Sequence, residues 1–274
     1  MIKNEYAKLV NGVEIPMLGF GTWQIEEEKQ AVESVAYALQ TGYRHIDTAA
    51  VYKNEQFVAT GIKESGLNRS DIFLTSKLWN SDQGYESALK AFDASLKKLN
   101  TDYLDLYLIH WPKNEKSNES WKALEKLYSE GRIKAIGVSN FLQHHLEDLM
   151  RYGKINPMVN QMEFHPYLVQ PKLLEFCKTH NIQYEAWSPL MQGRVMNIEL
   201  LQQIAARVKR SVAQVVLRWD IQMGVVTIPK SITPGRIKEN AQVFDFTLSD
   251  DDVEAIAALD KDQRVGPHPD KINF

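Results

Sequence analysis

Four ionisable residues, Asp47, Tyr52, Lys77 and His110, stand at or just beyond the ends of short β-branched or aromatic runs. Each type has a use in proton chemistry. A free tyrosine ionises only near pH ~10, so near neutrality it is a poor proton donor until its surroundings tune it. A nearby ammonium favours the phenolate and lowers that pKa. Lys77 can supply this charge, Asp47 can hold Lys77 in place, and His110 can hydrogen-bond a substrate carbonyl and orient it. Together they would form a general acid–base unit acting on a carbonyl oxygen. Four of the six tryptophans, Trp23, Trp79, Trp111 and Trp187, follow similar runs. Core packing has no reason to concentrate them there. An aromatic rim binds an apolar or planar ligand and holds water out. Taken singly, each residue reads as structural: a satisfied buried histidine, a core tyrosine, a strand-end charge. The joint pattern argues for a site.

Something must bring these residues together. Strand-like runs at 17–21, 43–47, 72–77, 104–110, 135–139, 158–163, 183–187 and 225–229 alternate with amphipathic stretches. The latter fall near 26–40, 55–64, 85–99, 120–130, 142–152, 171–180, 198–206 with 212–222, and 236–244. The unbroken rhythm predicts a closed (β/α)8 barrel, whose usual length of about 250 residues suits the 274 present. In that fold the site lies at the C-terminal ends of the strands. The competitor is a doubly wound open sheet carrying G-x-G-x-x-G after its first strand. Here the first strand ends Gly19-Phe20-Gly21-Thr22-Trp23, and the third glycine is missing. A further helix is expected over 249–259, with Ser249 as N-cap before Asp250-Asp251-Asp252. The Asn11-Gly12 pair predicts a type I′ hairpin that plugs the barrel bottom.

Composition narrows the class. The chain is 44% hydrophobic and 24% charged, within the globular range, and shows no linker or composition shift, so it reads as one domain over 1–274. Its net charge of −3 offers no global attraction for nucleic acid or anionic lipid. No apolar run approaches the ~18 residues of a membrane span. Residues 1–5 lack the apolar stretch of a signal peptide. The lone Cys177 rules out internal disulfides and Cys-rich zinc modules, which points to the cytoplasm.

The motifs themselves resemble those of the aldo-keto reductases. The resemblance is carried by Asp47-Thr48-Ala49-Ala50-Val51-Tyr52-Lys53-Asn54-Glu55, Leu108-Ile109-His110-Trp111-Pro112, Gly137-Val138-Ser139-Asn140-Phe141, Asn160-Gln161-Met162-Glu163 and Ile228-Pro229-Lys230-Ser231. They occur in the family's order and span nearly the whole chain. The resemblance implies a (β/α)8 barrel that binds NADPH without a Rossmann motif. It also implies a catalytic tetrad of Asp47, Tyr52, Lys77 and His110, with Tyr52 as proton donor. Ser139, Asn140 and Gln161 would bond the nicotinamide carboxamide, and Trp187 would stack on the ring. Ser188, Leu190, Gln192 and Gly193 would follow the pyrophosphate, with Gly21 and Thr22 also at the cofactor. Lys230, Ser231, Thr233 and Arg236 would hold the 2′-phosphate near the start of helix eight, and Glu239 and Asn240 the adenine. Hydroxyls, guanidinium and a helix N-terminus suit a phosphate. Trp23, Trp79 and Trp111 would line the substrate pocket.

The short 112–120 connection and short tail after Asp260 look like the compact bacterial branch, which includes glyoxal, methylglyoxal and 2,5-diketogluconate reductases. Two places depart from the family pattern: Gln56-Phe57-Val58-Ala59 replaces small residues, and Met191-Gln192-Gly193-Arg194 is bulkier than the usual glycine-rich loop. The expected reaction is NADPH-dependent reduction of an aldehyde or ketone, with no metal. The partner is a small carbonyl compound, and the chain is expected to be a monomer. Other readings are a metal-dependent barrel hydrolase, a Schiff-base aldolase using Lys77, and a non-catalytic NADPH-binding regulatory subunit. The first lacks a His cluster at strand one, and the second leaves Lys230, Ser231 and Arg236 unexplained. The intact tetrad argues against the third.

Overall fold

Parallel strands covered on both faces need near-continuous apolar, β-branched runs, and the runs in this sequence have that character. The computed structural model describes residues 4–272; residues 1–3 and 273–274, at the ends of the expected 1–274 domain, lie outside the described residues. The chain opens with β1 (Tyr6–Lys8) and β2 (Glu14–Pro16), then β3 (Phe20–Gly21) and α1 (Glu28–Thr41). It continues through β4 (His45–Asp47), α2 (Glu55–Ser65), β5 (Phe73–Leu78), α3 (Tyr85–Leu99), β6 (Leu104–Ile109) and α4 (Asn114–Ser129). Next come β7 (Ile133–Ser139), α5 (Gln143–Tyr152), β8 (Val159–Glu163), α6 (Pro171–Thr179) and β9 (Gln183–Trp187). The last elements are α7 (Glu199–Val208), α8 (Val212–Gln222), β10 (Val226–Thr227), α9 (Pro234–Asn240) and α10 (Asp250–Ala257).

Strands β3 to β10 form one sheet in sequence order, every pair parallel. The sheet closes on itself. Gly19 N–H donates to Thr227 O (2.9 Å), Thr227 N–H to Met17 O (2.9 Å) and Gly21 N–H to Pro229 O (3.1 Å). The seam is tight enough to need glycine: a Cβ at Gly21 would lie 2.8 Å from Ile228 O, and one at Gly19 would lie 2.7 Å from His45 Nδ1. The G-F-G stretch therefore serves closure, and the fold is the expected (β/α)8 barrel with a preceding antiparallel hairpin and an extra C-terminal helix.

Local signals fared unevenly. Ser249 does cap α10, its hydroxyl accepting Asp252 N–H at 3.2 Å. The hairpin is not type I′. Its last pair is Lys8 with Glu14, and of the Asn11-Gly12 pair only Gly12 takes a positive φ (+89°). Gly12 N–H returns to Leu9 O and Leu9 N–H reaches Val13 O, a five-residue loop with glycine at the left-handed position. Asn11 instead ties the loop to the start of β7, its Nδ2 donating to Lys134 O (2.9 Å) at the barrel bottom. Helix α4 starts at Asn114, six residues before the expected 120. Those first turns carry no apolar stripe; Ser117 and Ser120 hold them by hydrogen bonds to Lys113 N–H and Lys116 O. Helix α9 starts at Pro234, where helix eight is expected to begin, because proline suits the first helical turn, and it ends at Asn240, short of the expected 244. The bulkier 56–59 stretch is accommodated: Val58 is buried, and the close approach of α2 to α1 falls at Gly61, packed under Val35. Among the described residues no helix is long and apolar enough to cross a membrane.

Candidate active site

The barrel gathers its strand ends, and with them the residues singled out above. Asp47 ends β4, Lys77 is the penultimate residue of β5, and His110 follows β6 directly. Tyr52 sits in a short 3-10 turn (Ala50–Tyr52) after β4, which Lys53 ends in the left-handed region at φ 57°. Asn54 holds this loop from beneath: its Nδ2 donates to Thr22 O and Ile25 O, and its Oδ1 accepts from Thr48 Oγ1. Glu55 is buried against Ser76 Oγ at 2.7 Å. The signature around Tyr52 is thus largely scaffolding for one phenol.

Lys77 is fully buried. Its Nζ donates to Asp47 Oδ1 at 2.6 Å and to Thr48 O at 3.0 Å, and it lies 5.1 Å from the centroid of the Tyr52 ring. Burial penalises the ammonium, but Asp47, Tyr52 and Glu185 more than offset this, and the Lys77 pKa ends above its ordinary value. The expected lowering of the Tyr52 pKa by Lys77 does not prevail. Burial raises the phenol first, Asp47 adds to the rise, and the ammonium, already matched by Asp47, offsets only part. Tyr52 therefore keeps its proton at neutral pH, the state a donor needs. His110 is pushed well below its ordinary value by burial and then by Lys77, so it is neutral. The Tyr52 and Trp79 rings both meet the His110 ring in T-shaped pairs, with centroids 5.8 and 5.2 Å away, and Trp111 stacks beside it at 6.5 Å.

On the opposite wall Ser139, Asn140, Gln161 and Trp187 form a second linked group. Asn140 takes a left-handed φ of 65°, which turns its side chain back across the mouth. Its Nδ2 donates to His110 O (3.0 Å) and Ser139 Oγ (3.0 Å), and its Oδ1 accepts Trp187 Nε1–H (2.9 Å). Gln161 spans the barrel interior: Nε2 donates to Asp47 Oδ2 (2.8 Å) and to Glu185 Oε2 (3.0 Å). Glu185 was not anticipated from the sequence. It is buried, and burial followed by the Asp47 charge lifts its carboxyl to about 8. The available signal was a charged residue between Tyr184 and Ala186 in the middle of the expected 183–187 strand.

The remaining residues lie farther out. Gly21 spends its N–H on the seam, and Thr22 Oγ1 donates to Asp47 O at 2.9 Å, bracing the strand that carries Asp47. Ser188, Gln192 and Gly193 follow β9 with positive φ (54°, 55° and 91°), and Leu190 O accepts Gly193 N–H at 2.7 Å. Lys230, Thr233 and Arg236 are exposed beyond β10; Ser231 and Glu239 are half-buried and Asn240 is buried. Trp23 is 45% exposed, whereas Trp111 is buried and Trp79 half-buried. Trp121 and Trp219 belong to the core. Burial also removes Cys177 from chemistry, its thiol pushed up to about 12.

Two rival readings meet specific obstacles. A Schiff-base lysine needs a lowered pKa, and that of Lys77 is raised. Among the described residues the metal-ligand cluster is His144, His145 and Asp270, at the start of α5 rather than at the strand ends. His145 Nδ1 accepts Leu142 N–H (3.1 Å), which leaves its proton on Nε2, facing Asp270 at 3.2 Å. That is a hydrogen-bonded tether.

Comparison with known proteins agrees with this arrangement. The aldo/keto reductase family pattern matches residues 17–261. The chain is 59% identical over 267 residues to a glyoxal reductase of Bacillus subtilis, covering 97% of each. It is 44% identical over 269 residues to the methylglyoxal reductase DkgA of Escherichia coli, again with 97% of each covered. A Bombyx mori aldo-keto reductase crystallised with NADP superposes with a TM-score of 0.93 at 33% identity, covering 98% of this chain and 97% of that one. Matching motifs, a closed barrel and tetrad side chains gathered at the strand ends all lead to one conclusion: the chain belongs to the aldo/keto reductase family.

Proposed function

We propose that this protein reduces small aldehydes and ketones with NADPH, and that it favours dicarbonyls of the glyoxal and methylglyoxal kind. The observation that carries the reading is the buried Asp47–Lys77 pair at 2.6 Å beneath Tyr52, with a neutral His110 beside it. The names of the glyoxal and methylglyoxal reductase relatives support the substrate class.

The residues fit a bound NADPH. Ser139, Asn140 and Gln161 offer the amide and hydroxyl groups that a carboxamide requires, and the half-buried Trp187 offers an aromatic face. Lys230, Thr233 and Arg236 supply exposed cationic and hydroxyl groups for a 2′-phosphate. Cofactor and substrate meet at the C-terminal face. When bound, NADPH supplies a hydride to the carbonyl carbon; the protein supplies placement and electrostatics. His110 donates its imidazole N–H to the substrate oxygen without adding charge. Tyr52 delivers its proton to that oxygen, and Lys77 stabilises the phenolate left behind. Asp47 keeps Lys77 within reach. These groups are fixed before substrate arrives, so little reorganisation opposes the developing charge. Trp79, Trp111 and Trp23 wall the pocket and exclude water.

We further read the protein as a cytosolic monomer, and its net charge of −3 as offering no attraction for nucleic acid. The test is NADPH oxidation with glyoxal and methylglyoxal. Tyr52→Phe is expected to bind NADPH normally and lose at least ~100-fold in kcat, the usual scale of general acid catalysis. Normal turnover by this variant would overturn the proton-donor assignment.

A further inference from the structure

One buried carboxylate near the site has no part in that chemistry. Glu163 ends β8 and is fully buried, and its contacts face the C-terminal tail. Its Oε1 accepts the N–H of Val265 (2.5 Å) and of Gly266 (3.2 Å), and its Oε2 lies 3.3 Å from Gly266 N. His165 Nε2 is 3.0 Å from Oε1. Arg264 Nη1 is 3.9 Å from Oε2, while its Nη2 donates to Gln170 Oε1 at 2.7 Å. A buried carboxylate accepting consecutive backbone N–H groups makes charge-assisted bonds, stronger than neutral ones. The tail is held again farther on, where Asp270 Oδ1 lies 3.1 Å from His144 Nε2 and 3.2 Å from His145 Nε2.

The first anchor sets Gly266 against Trp187. A Cβ at Gly266 would collide with Trp187 Cη2 and lie 3.0 Å from Cζ3 and 3.3 Å from Glu163 Oε2. The six-membered edge of the indole is thus backed by tail backbone, and its opposite edge is pinned by the Nε1–H bond to Asn140 Oδ1. A ring held at both edges has one orientation.

We propose that Glu163 and Gly266 are positioning residues: Glu163 fastens the tail so that Gly266 fixes the plane of the Trp187 indole against which the nicotinamide stacks. The inference rests on the reading of Trp187 as the stacking platform, and the experiment separates the two. Isothermal titration calorimetry with NADPH is applied to the full-length protein and to Trp187→Ala, Gly266→Ala and Glu163→Gln. Gly266→Ala is expected to weaken NADPH binding by roughly three- to tenfold, the scale of one displaced aromatic contact. KM for NADPH should rise while kcat at saturation and the melting temperature stay close to those of the parent. Glu163→Gln keeps one carbonyl oxygen but loses the charge. It should speed amide exchange at Val265 and Gly266 in the cofactor-free protein and weaken NADPH in the same direction. If Trp187→Ala loses affinity while Gly266→Ala binds as the parent does, the tail has no positioning role and the platform reading stands. If Trp187→Ala binds normally, the platform reading fails and the proposal falls with it.

Discussion

Lys77 and Arg236 are both cations near the barrel mouth, yet they stand in opposite solvents. Lys77 has no exposed surface and is matched within 3 Å by Asp47 Oδ1 and Thr48 O. Arg236 stands in water beyond β10, with Lys230 and Thr233 exposed near it in sequence. The two regions obey different physics. A charge meant to stabilise a transition state must be fixed and dehydrated beforehand, because reorganising dipoles during reaction costs barrier height. A charge meant to capture a phosphate works from solution, and screening limits what it contributes until the ligand arrives. One region is fixed and dehydrated; the other stands in solvent.

That contrast can be broken most forcefully at Lys77. Lys77→Met leaves the Asp47 carboxylate buried without its counterion. Removing one partner of a buried pair costs about 3–5 kcal/mol, so denaturant unfolding should show a loss of that size, with turnover abolished. Unchanged stability would mean that Asp47 is solvated or protonated, and the fixed, dehydrated region would be neither. In the exposed region, Lys230→Ala and Arg236→Ala should each weaken NADPH by roughly tenfold, one charge-assisted contact, and leave NADH nearly untouched. Their melting temperatures should not move, since exposed charges add little to stability. Equal loss for both cofactors would remove the 2′-phosphate assignment.

A pH-dependent effect lies inside the barrel. Glu185 has its carboxyl raised to about 8 from an ordinary 4.5, so the folded chain holds a proton that the unfolded chain releases across that window. Stability must therefore fall as pH rises through it. Glu185→Gln removes this penalty. It should raise Tm at pH 9 and leave it unchanged at pH 4, as scanning calorimetry would read. A gain at both pH values would point to packing instead.

Much of this was legible in the sequence, and the reasons are specific. The eight-fold alternation predicted the barrel because each strand–helix unit carries its own hydrophobic period. The gathering of the four proposed acid–base residues was legible because three of them fall at the ends of consecutive strands and Tyr52 lies just beyond one. Boundaries were less so. The polar start of α4 is held by hydrogen bonds, which leave no hydrophobic trace. The sign of the Tyr52 shift was not legible either, because it depends on how deeply protein encloses the phenol and on Asp47 already matching Lys77.

Sequence by itself determined the architecture, the candidate acid–base groups and the family, since periodicity and motif order are local properties of the chain. Only the tertiary structure decided which of those groups are charged, and what fixes their orientation. Gln161 joins Asp47 to Glu185 across the barrel, Asn140 pins Trp187, and Glu163 reaches the tail 102 residues away. Such contacts arise from closure, and burial changes pKa values only once the surrounding strands are in place.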